Sequence, residues 1–532
     1  MIRLLCLVLA GAGHALAFAP DPLPAGLLAI WQVLMLAVLC HAVWRSGSVA
    51  RAAWAGIGFG LGSFAVGLYW IFISLHVYGQ MAVPLAGFAV VALSAGLALL
   101  YALATGLAVW LVPPARFQRA GRWWFVAVFA TTWTGAEWLR GTVFTGFPWL
   151  NIGYGHVDGW LAGWGPVFGV YGVAWWAALS AGIVAAGLQT WRSRPEQRLA
   201  WGLALVLPWL VGLGLVQNPW GVQAHGEPLP LRLVQGNVSQ SNKFDPDLIL
   251  GAMDRHVWLA GADSTTPGFR PEVVILPETA IPLFQDQVPV PLWQPWLQVA
   301  GYWGGTVVTG IALHLSAPDG ESRFTNSVIG FDSDVSPFAL INGRVPWRYD
   351  KSHLVPFGEF VPPGFRWFVN AMIMPMGDFD RGARRQPPFA LGEQWVAFNI
   401  CYEDIFGEEL LPALYPGADG SPGATLLANV SNLGWFGDSW ALRQHLQMAR
   451  MRSIETARPS VRATNTGYTA VIDRHGRVVE QLAPHSAGVL DAHVQGTVGY
   501  TPYVRWGNAA VLLWLGLILV LALRRRWRHW QR

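Results

Sequence analysis

The residues that could do chemistry in this chain fall at three places. The stretch "NICYED" (399–404) ends an apolar run on Cys401 and follows it with Tyr402, Glu403 and Asp404. A second run, "EVVILPETAIP" (272–282), stops at Pro277 and presents Glu278. A third, "VPWRYDKSHLVPFGEFVP" (345–362), carries Lys351 and, eight residues later, Glu359. A thiol attacks a carbonyl as the thiolate, and an unperturbed pKa of about 8.5 leaves little thiolate at neutral pH. A carboxylate in hydrogen-bond reach can take the proton. A charged lysine can steady the resulting oxyanion, together with a backbone N–H at the turn after the cysteine. Glu278 as base, Lys351 as electrostatic stabiliser and Cys401 as nucleophile fill these roles. Each residue alone has a plainer reading. A cysteine after a β-run is usually a small packing residue, and a lone Glu or Lys at a strand end is usually a solvated charge. The joint pattern is what points to chemistry.

Strands must hold all three at their ends. Val273 to Leu276 is a continuous β-branched and apolar run, as expected of a strand buried on both faces. A short strand around Val345 to Tyr349 leads to Lys351, and one over Trp395 to Ile400 leads to Cys401. "DSWALRQHLQMARMRSIETARP" (438–459) predicts a helix capped by Asp438 or Ser439 and ended before Pro459. Residues 228–497 thus form an ordinary α/β domain.

The rest of the chain is different. Of 532 residues, 53% are hydrophobic and 12% charged, with 31 tryptophans and 60 glycines. A soluble domain is about a quarter charged, so this composition indicates a membrane protein. A helix needs about 20 apolar residues to cross a bilayer. Seven candidates lie in residues 1–217, near 2–19, 24–44, 52–76, 83–112, 123–139, 164–190 and 199–217, and an eighth at 508–523. The first ends in "ALAFAP", which also resembles a signal-peptide cleavage site; a retained helix gives the consistent topology. Arg3, Arg45 and Arg51, Arg116, Arg119 and Arg122, Arg192, Arg194 and Arg198, and the tail "RRRWRHWQR" all fall on one side. The loops at 20–23 and 77–82 carry no Lys or Arg, and 140–163 carries only Arg140. The positive-inside rule then puts both termini in the cytoplasm and the 228–497 domain outside, in the periplasm of a two-membrane bacterium. The net charge of +4 records this topology and not binding to nucleic acid.

Cys6 and Cys40 lie in predicted membrane helices, which leaves Cys401 alone in the outer domain. It has no disulfide partner there, and the spacing excludes a zinc ribbon or a CxxC pair. No metal or nucleotide motif is present, and no cofactor is expected.

"PET", "DKxHLVPFGEF" and "NICYED", in this order and in strand contexts, resemble the nitrilase superfamily, whose Glu–Lys–Cys triad sits on an αββα sandwich. "LRLVQGNVSQ" resembles its first strand and "RATNTGYTAVIDRHGRVVEQL" its late hairpin, turning at Arg474-His475-Gly476. Seven spans before such a domain and one after it are similar to the apolipoprotein N-acyltransferase family, over essentially the whole chain. "EWLRGTVFTGFPWLNIGY" (137–154) resembles the family's outer loop, with Trp149 at a position implicated in function. "NVSNLGWFGDS" (429–439) resembles a segment lining the site, with Trp435 prominent. Glu359, Tyr402 and Glu403 match family residues needed for activity. Phe244 stands where enterobacterial members carry Trp, which keeps an aromatic surface but loses the indole N–H.

The resemblance implies transfer of a fatty acyl chain from a phospholipid to the α-amino group of a lipoprotein's diacylglyceryl-cysteine, by a ping-pong route through a thioester on Cys401. A monomer resting at the inner membrane meets both lipid-anchored partners there. Glu359 and Glu403 are expected to support the charge network, and a greasy arm over 361–385, with Phe365, Trp367 and Phe368, to gate the site. Three rival readings remain: a membrane-tethered amidase of a small amide, a Cys–His hydrolase using His353 or His445, and a non-catalytic scaffold.

Overall fold

In the computed structural model the described residues are 2–18, 25–113, 119–190, 195–316, 320–366, 378–418 and 420–530. Trp367 and Phe368, and with them the middle of the expected arm, lie outside them.

Seven long helices come first: α1 (Ile2–Ala15), α2 (Ala25–Trp44), α3 (Val49–Gly67), α4 (Val83–Leu111), α5 (Arg119–Thr142), α6 (Gly165–Thr190) and α7 (Arg198–Val216). A helix satisfies its own N–H and C=O groups, which suits apolar runs such as those of α2, α3 and α4. Close approach sets their packing. A Cβ on Gly11 of α1 would lie 1.9 Å from the Phe59 carbonyl oxygen of α3, and one on Gly62 of α3 would lie 1.9 Å from that of Val8. The two backbones touch, as small residues permit.

Two expectations need correction. The third span does not run to residue 76. It stops at Gly67, and Trp70–Ile73 and Ser74–Tyr78 form short helical turns instead. The sequence stays apolar there, so hydropathy alone gave no stop signal. Five helices among the described residues are long and apolar enough to cross a membrane: those within 26–44, 49–67, 83–111, 160–190 and 195–216. The expected spans at 123–139 and 508–523 are helical but do not meet that measure, and 2–18 is shorter.

The second half is a sandwich. One sheet orders its strands Gly488–Val494, Leu229–Gln235, Val273–Ile275, Thr306–Ser316, Ser322–Phe331 and Trp347–Asp350. The other orders Val478–Gln481, Ala470–Ile472, Ser460–Thr464, Leu426–Ser431, Gln394–Ile400 and Phe389–Leu391. Alternation decides the faces. Val396, Phe398 and Ile400 meet Leu231, Leu233, Val273 and Ile275 in one core between the sheets. Ala397 and Leu427 point the other way, towards Leu410, Leu414 and Tyr503. Helices α8 (Ile249–Gly261) and α9 (Val290–Trp303) cover the first sheet, burying Met253, Trp293 and Trp296. Helix α10 (Trp440–Thr456) starts where the Ser439 hydroxyl accepts from the Ala441 N–H. Its Ala441, Met448, Met451 and Ile454 join the core of the N-terminal helices. The chain closes with α11 (Ala509–Trp530), whose Arg525 and Arg526 lie over Trp124 and Trp110.

So α10 is the seam between the halves. Gln444 accepts from the indole N–H of Trp70 at 3.1 Å and of Trp149 at 2.7 Å, and donates to the Gly67 carbonyl at 3.1 Å. Glu455 accepts from the Val170 N–H at 2.6 Å. That N–H is freed because α6 breaks at Gly169, where φ is 66° and a Cβ would strike the Tyr503 ring.

Candidate active site

Glu278, Lys351, Glu359 and Cys401 converge at one end of the sandwich. The strand 273–275 ends in Leu276-Pro277 and turns at Thr279, a β-branched residue at φ 55°. Such a backbone is strained and needs support. Glu278 is 7% exposed. Its Oε1 accepts from Asn326 Nδ2 at 2.8 Å and from Lys351 Nζ at 3.3 Å, and its Oε2 from the Asn432 N–H at 2.9 Å. Lys351 follows the strand 347–350 and is 1% exposed. Its Nζ also donates to Glu359 Oε1 at 2.8 Å. Asn326 Nδ2 reaches that same oxygen at 2.6 Å, while Glu359 Oε2 accepts from the Val355 N–H at 2.8 Å. A buried ammonium is thus held between two carboxylates that are themselves fixed.

The electrostatics follow. Burial pushes the Glu278 carboxyl up, but Lys351, Asn326 and the Asn432 N–H outweigh it and leave it below the usual carboxylate range. Burial would lower Lys351, and the two glutamates overturn that and raise it, so it stays charged. Cys401 is half-buried, at the end of the strand 394–400, with φ 52° at the turn into a 3₁₀ helix. Burial and the carboxylates of Glu278 and Glu359 push its thiol well up, while Lys351 pulls it down. A thiol of this kind is quiet at rest and needs a base at the moment of attack.

Glu403 and Glu359 have separable places. Glu359 touches the lysine. Glu403, buried, bonds none of Glu278, Lys351 or Cys401 directly. Its Oε1 accepts from the Ser352 N–H at 2.7 Å, the Ser352 hydroxyl at 2.8 Å and the His353 N–H at 3.0 Å, and its Oε2 from the Ile400 N–H at 2.7 Å and Tyr349 OH at 2.9 Å. One carboxylate therefore clamps the residue after Lys351 to the residue before Cys401. Tyr402 points away from the cluster of Glu278, Lys351 and Glu359: its hydroxyl donates to the Gly146 carbonyl of the N-terminal half at 3.0 Å.

The three aromatic residues are spread. Trp149 is 2% exposed, with its ring parallel to that of His445 and its N–H on Gln444, so it belongs to the seam. Trp435 is half-buried, with its carbonyl accepting from Ser74 at 2.7 Å and its ring against Tyr78. Phe244 is 44% exposed at the end of a short helix, Gln240–Lys243. His445 is engaged through both ring nitrogens and His353 through Nδ1 alone. His445 Nδ1 accepts from Arg462 at 2.6 Å, and its Nε2 faces the Cys401 carbonyl at 3.2 Å and Asp404 at 2.9 Å. His353 Nδ1 lies 2.8 Å from Glu409, with its ring stacked on Phe406.

Two residues of the site carried no sequence signal. Asn326 joins both carboxylates from the middle of a strand. Lys243 is buried, with Nζ donating to the Glu278 carbonyl at 3.2 Å, and burial brings its amine down to about 7.

Comparison with known proteins places the chain. The family described as apolipoprotein N-acyltransferase N-terminal domain matches residues 10–183, and that described as carbon-nitrogen hydrolase matches 250–503. An apolipoprotein N-acyltransferase of Bordetella bronchiseptica is 52% identical over 98% of this chain and 96% of its own. One of Ralstonia nicotianae is 43% identical over 98% and 93%, and one of Nitrosomonas europaea 39% over 97% and 96%. With relatives this close along nearly its full length, and with a sandwich joined to apolar helices, the chain belongs to the apolipoprotein N-acyltransferase family.

Proposed function

We propose that this protein moves a fatty acyl chain from a phospholipid to the N-terminal amine of a diacylglyceryl-cysteine lipoprotein, with Cys401 as nucleophile, Glu278 as base and Lys351 as oxyanion partner. The observation that carries it is the Lys351 ammonium, buried between Glu278 and Glu359 at 3.3 and 2.8 Å, in the cluster with Cys401. Glu278 takes the Sγ proton and the thiolate adds to the ester carbonyl. The C–O bond breaks, and the leaving alkoxide takes the proton back from Glu278. A thioester and a lysophospholipid remain. The lipoprotein amine then adds to the thioester, Glu278 receives its proton, and the C–S bond breaks. The proton returns to the thiolate.

Residues 228–497 form the catalytic domain, on the periplasmic side of the inner membrane. Residues 1–217 supply seven spans and 508–532 the eighth with a cytoplasmic tail. Membrane anchoring suits the substrates, because drawing an acyl chain into water costs about 0.8 kcal/mol per CH₂. The two occupied ring nitrogens of His445 weigh against its pairing with Cys401, and the names of the relatives weigh against a small-amide amidase.

Mass spectrometry of the folded protein incubated with defined phospholipids tests the core. One acyl chain should add to Cys401 and leave on addition of a diacylglyceryl-cysteine peptide. No adduct on folded protein, or an equal adduct on Cys401→Ala, would overturn it.

A further inference from the structure

A cavity of about 260 Å³ lies where the end of α7 meets the turn of the late hairpin. None of Glu278, Lys351, Glu359 or Cys401 lines it. Its wall carries three arginines, Arg450, Arg474 and Arg477, against one carboxylate, Asp158. Arg450 takes that carboxylate with both terminal nitrogens, one of them at 2.9 Å. Arg474 donates to the Val222 carbonyl at 3.3 Å and to the His475 ring at 3.2 Å, neither of them charged. Arg477 is exposed, and its own N–H, not its guanidinium, is what bonds Asp473. Among the described residues, no carboxylate pairs with Arg474 or Arg477. The Trp220 indole N–H, also in the wall, is buried without an acceptor. An indole N–H only donates, and leaving it unmet is costly. Two guanidinium groups without a carboxylate, one of them already bonded to neutral acceptors through Nε and one terminal nitrogen, and a spare indole N–H form a donor set without an anion. Guanidinium forks match phosphate oxygens in pairs.

The floor is of another kind. Leu213 and Val216 of α7 line it. Along the same helix Leu199, Leu203, Leu207, Leu210 and Leu213 are each at least 40% exposed. Trp160, 48% exposed, stands at the rim, as aromatic residues do at a membrane surface. A free phosphate has no use for an apolar wall running away from the arginines, whereas a phospholipid uses both.

We infer that this cavity holds the phosphate headgroup of an anionic phospholipid whose acyl chains lie along α7, as a bound lipid and not as the acyl donor. The bound lipid fastens the hairpin turn at 474–476 to the bilayer beside α7. The inference stands apart from the identity of the transferred chain, because it needs only the arginines and the lipid-facing helix.

Native mass spectrometry of the full chain in detergent tests it, with phosphatidylglycerol, phosphatidylcholine and inorganic phosphate as separate probes. Near an anionic surface each basic residue contributes about fivefold, so Arg474→Gln/Arg477→Gln should bind one phosphatidylglycerol about 25-fold more weakly than wild type. Phosphatidylcholine, whose choline cation offsets its phosphate charge, should bind wild type more weakly than phosphatidylglycerol does and lose less in the double variant. An equal loss for both lipids overturns the preference for an anionic headgroup. Equal phosphatidylglycerol affinity in wild type and double variant overturns the proposal. So does inorganic phosphate displacing that lipid at equal concentration, which marks a plain phosphate site. Acyl-adduct formation at Cys401 checks that the variant is folded. If the double variant fails that check, the exposed Arg477→Gln alone should show the fivefold loss, and its absence also overturns the proposal.

Discussion

At the scale of single residues, the site separates charge from position. Lys351 lowers both Glu278 and Cys401, so removing it acts on both. In the proposed mechanism Glu278 works as the carboxylate, above its pKa. Lys351→Met raises that pKa, so the acid limb of the acylation profile should move to higher pH. The oxyanion also loses its partner, and the plateau should fall about 10²- to 10³-fold. Stopped-flow acylation across pH checks both. Glu403 gives a contrast. It bonds Ser352, His353, Ile400 and Tyr349, and none of the reacting groups. Glu403→Ala should displace Lys351 relative to Cys401, and a displacement of about 1 Å costs about 100-fold in rate. Its acid limb should stay where it is in the parent, because the charge around Glu278 is unchanged. A limb that moves as in Lys351→Met would refute the clamp.

At the scale of elements, α10 joins the two halves through Gln444. Gln444→Leu leaves the Trp70 and Trp149 N–H groups buried without their acceptor, although the Trp70 N–H keeps a contact to the Gly67 carbonyl at 3.2 Å. Unmet buried donors of this kind cost on the order of 3 kcal/mol, and thermal unfolding of the purified protein should show the loss. The strands behind Glu278 and Cys401 were legible in the sequence because each is an apolar run that leads to a polar residue, and the one before Lys351 because Trp347 and Tyr349 alternate with Arg348 and Asp350. The helix 440–456 was legible because a serine and a proline bracket it. Asn326 was not, since an asparagine inside a strand shows its partners only once the strands are paired. Nor was the role of Tyr402. It sits beside the cysteine in the motif, yet its hydroxyl bonds Gly146, 256 residues away. The break after Gly67 was hidden because the turns that follow it are as apolar as the helix.

At the scale of the whole molecule, Arg140 was the one basic residue in a loop assigned to the outside. It is 2% exposed and bonds Glu137, the Phe147 carbonyl at 2.8 Å and the Trp149 carbonyl. It is a buried tie and not a mark of sidedness, so it does not weigh against the proposed topology. A reporter enzyme active only in the periplasm should be active when inserted at residue 225 and silent when fused after residue 532. The opposite pattern would invert the orientation.

The broken helix α6 bears on how the protein is made. Its loose N–H at Val170 is met by Glu455, nearly three hundred residues later in the chain. On the proposed topology, the first seven helices enter the bilayer long before that carboxylate is made. The nascent membrane half must therefore wait, incompletely bonded, for the helix that completes it. A ribosome stalled before residue 440 should present a membrane segment sensitive to quality-control proteases, and one stalled past residue 500 should not.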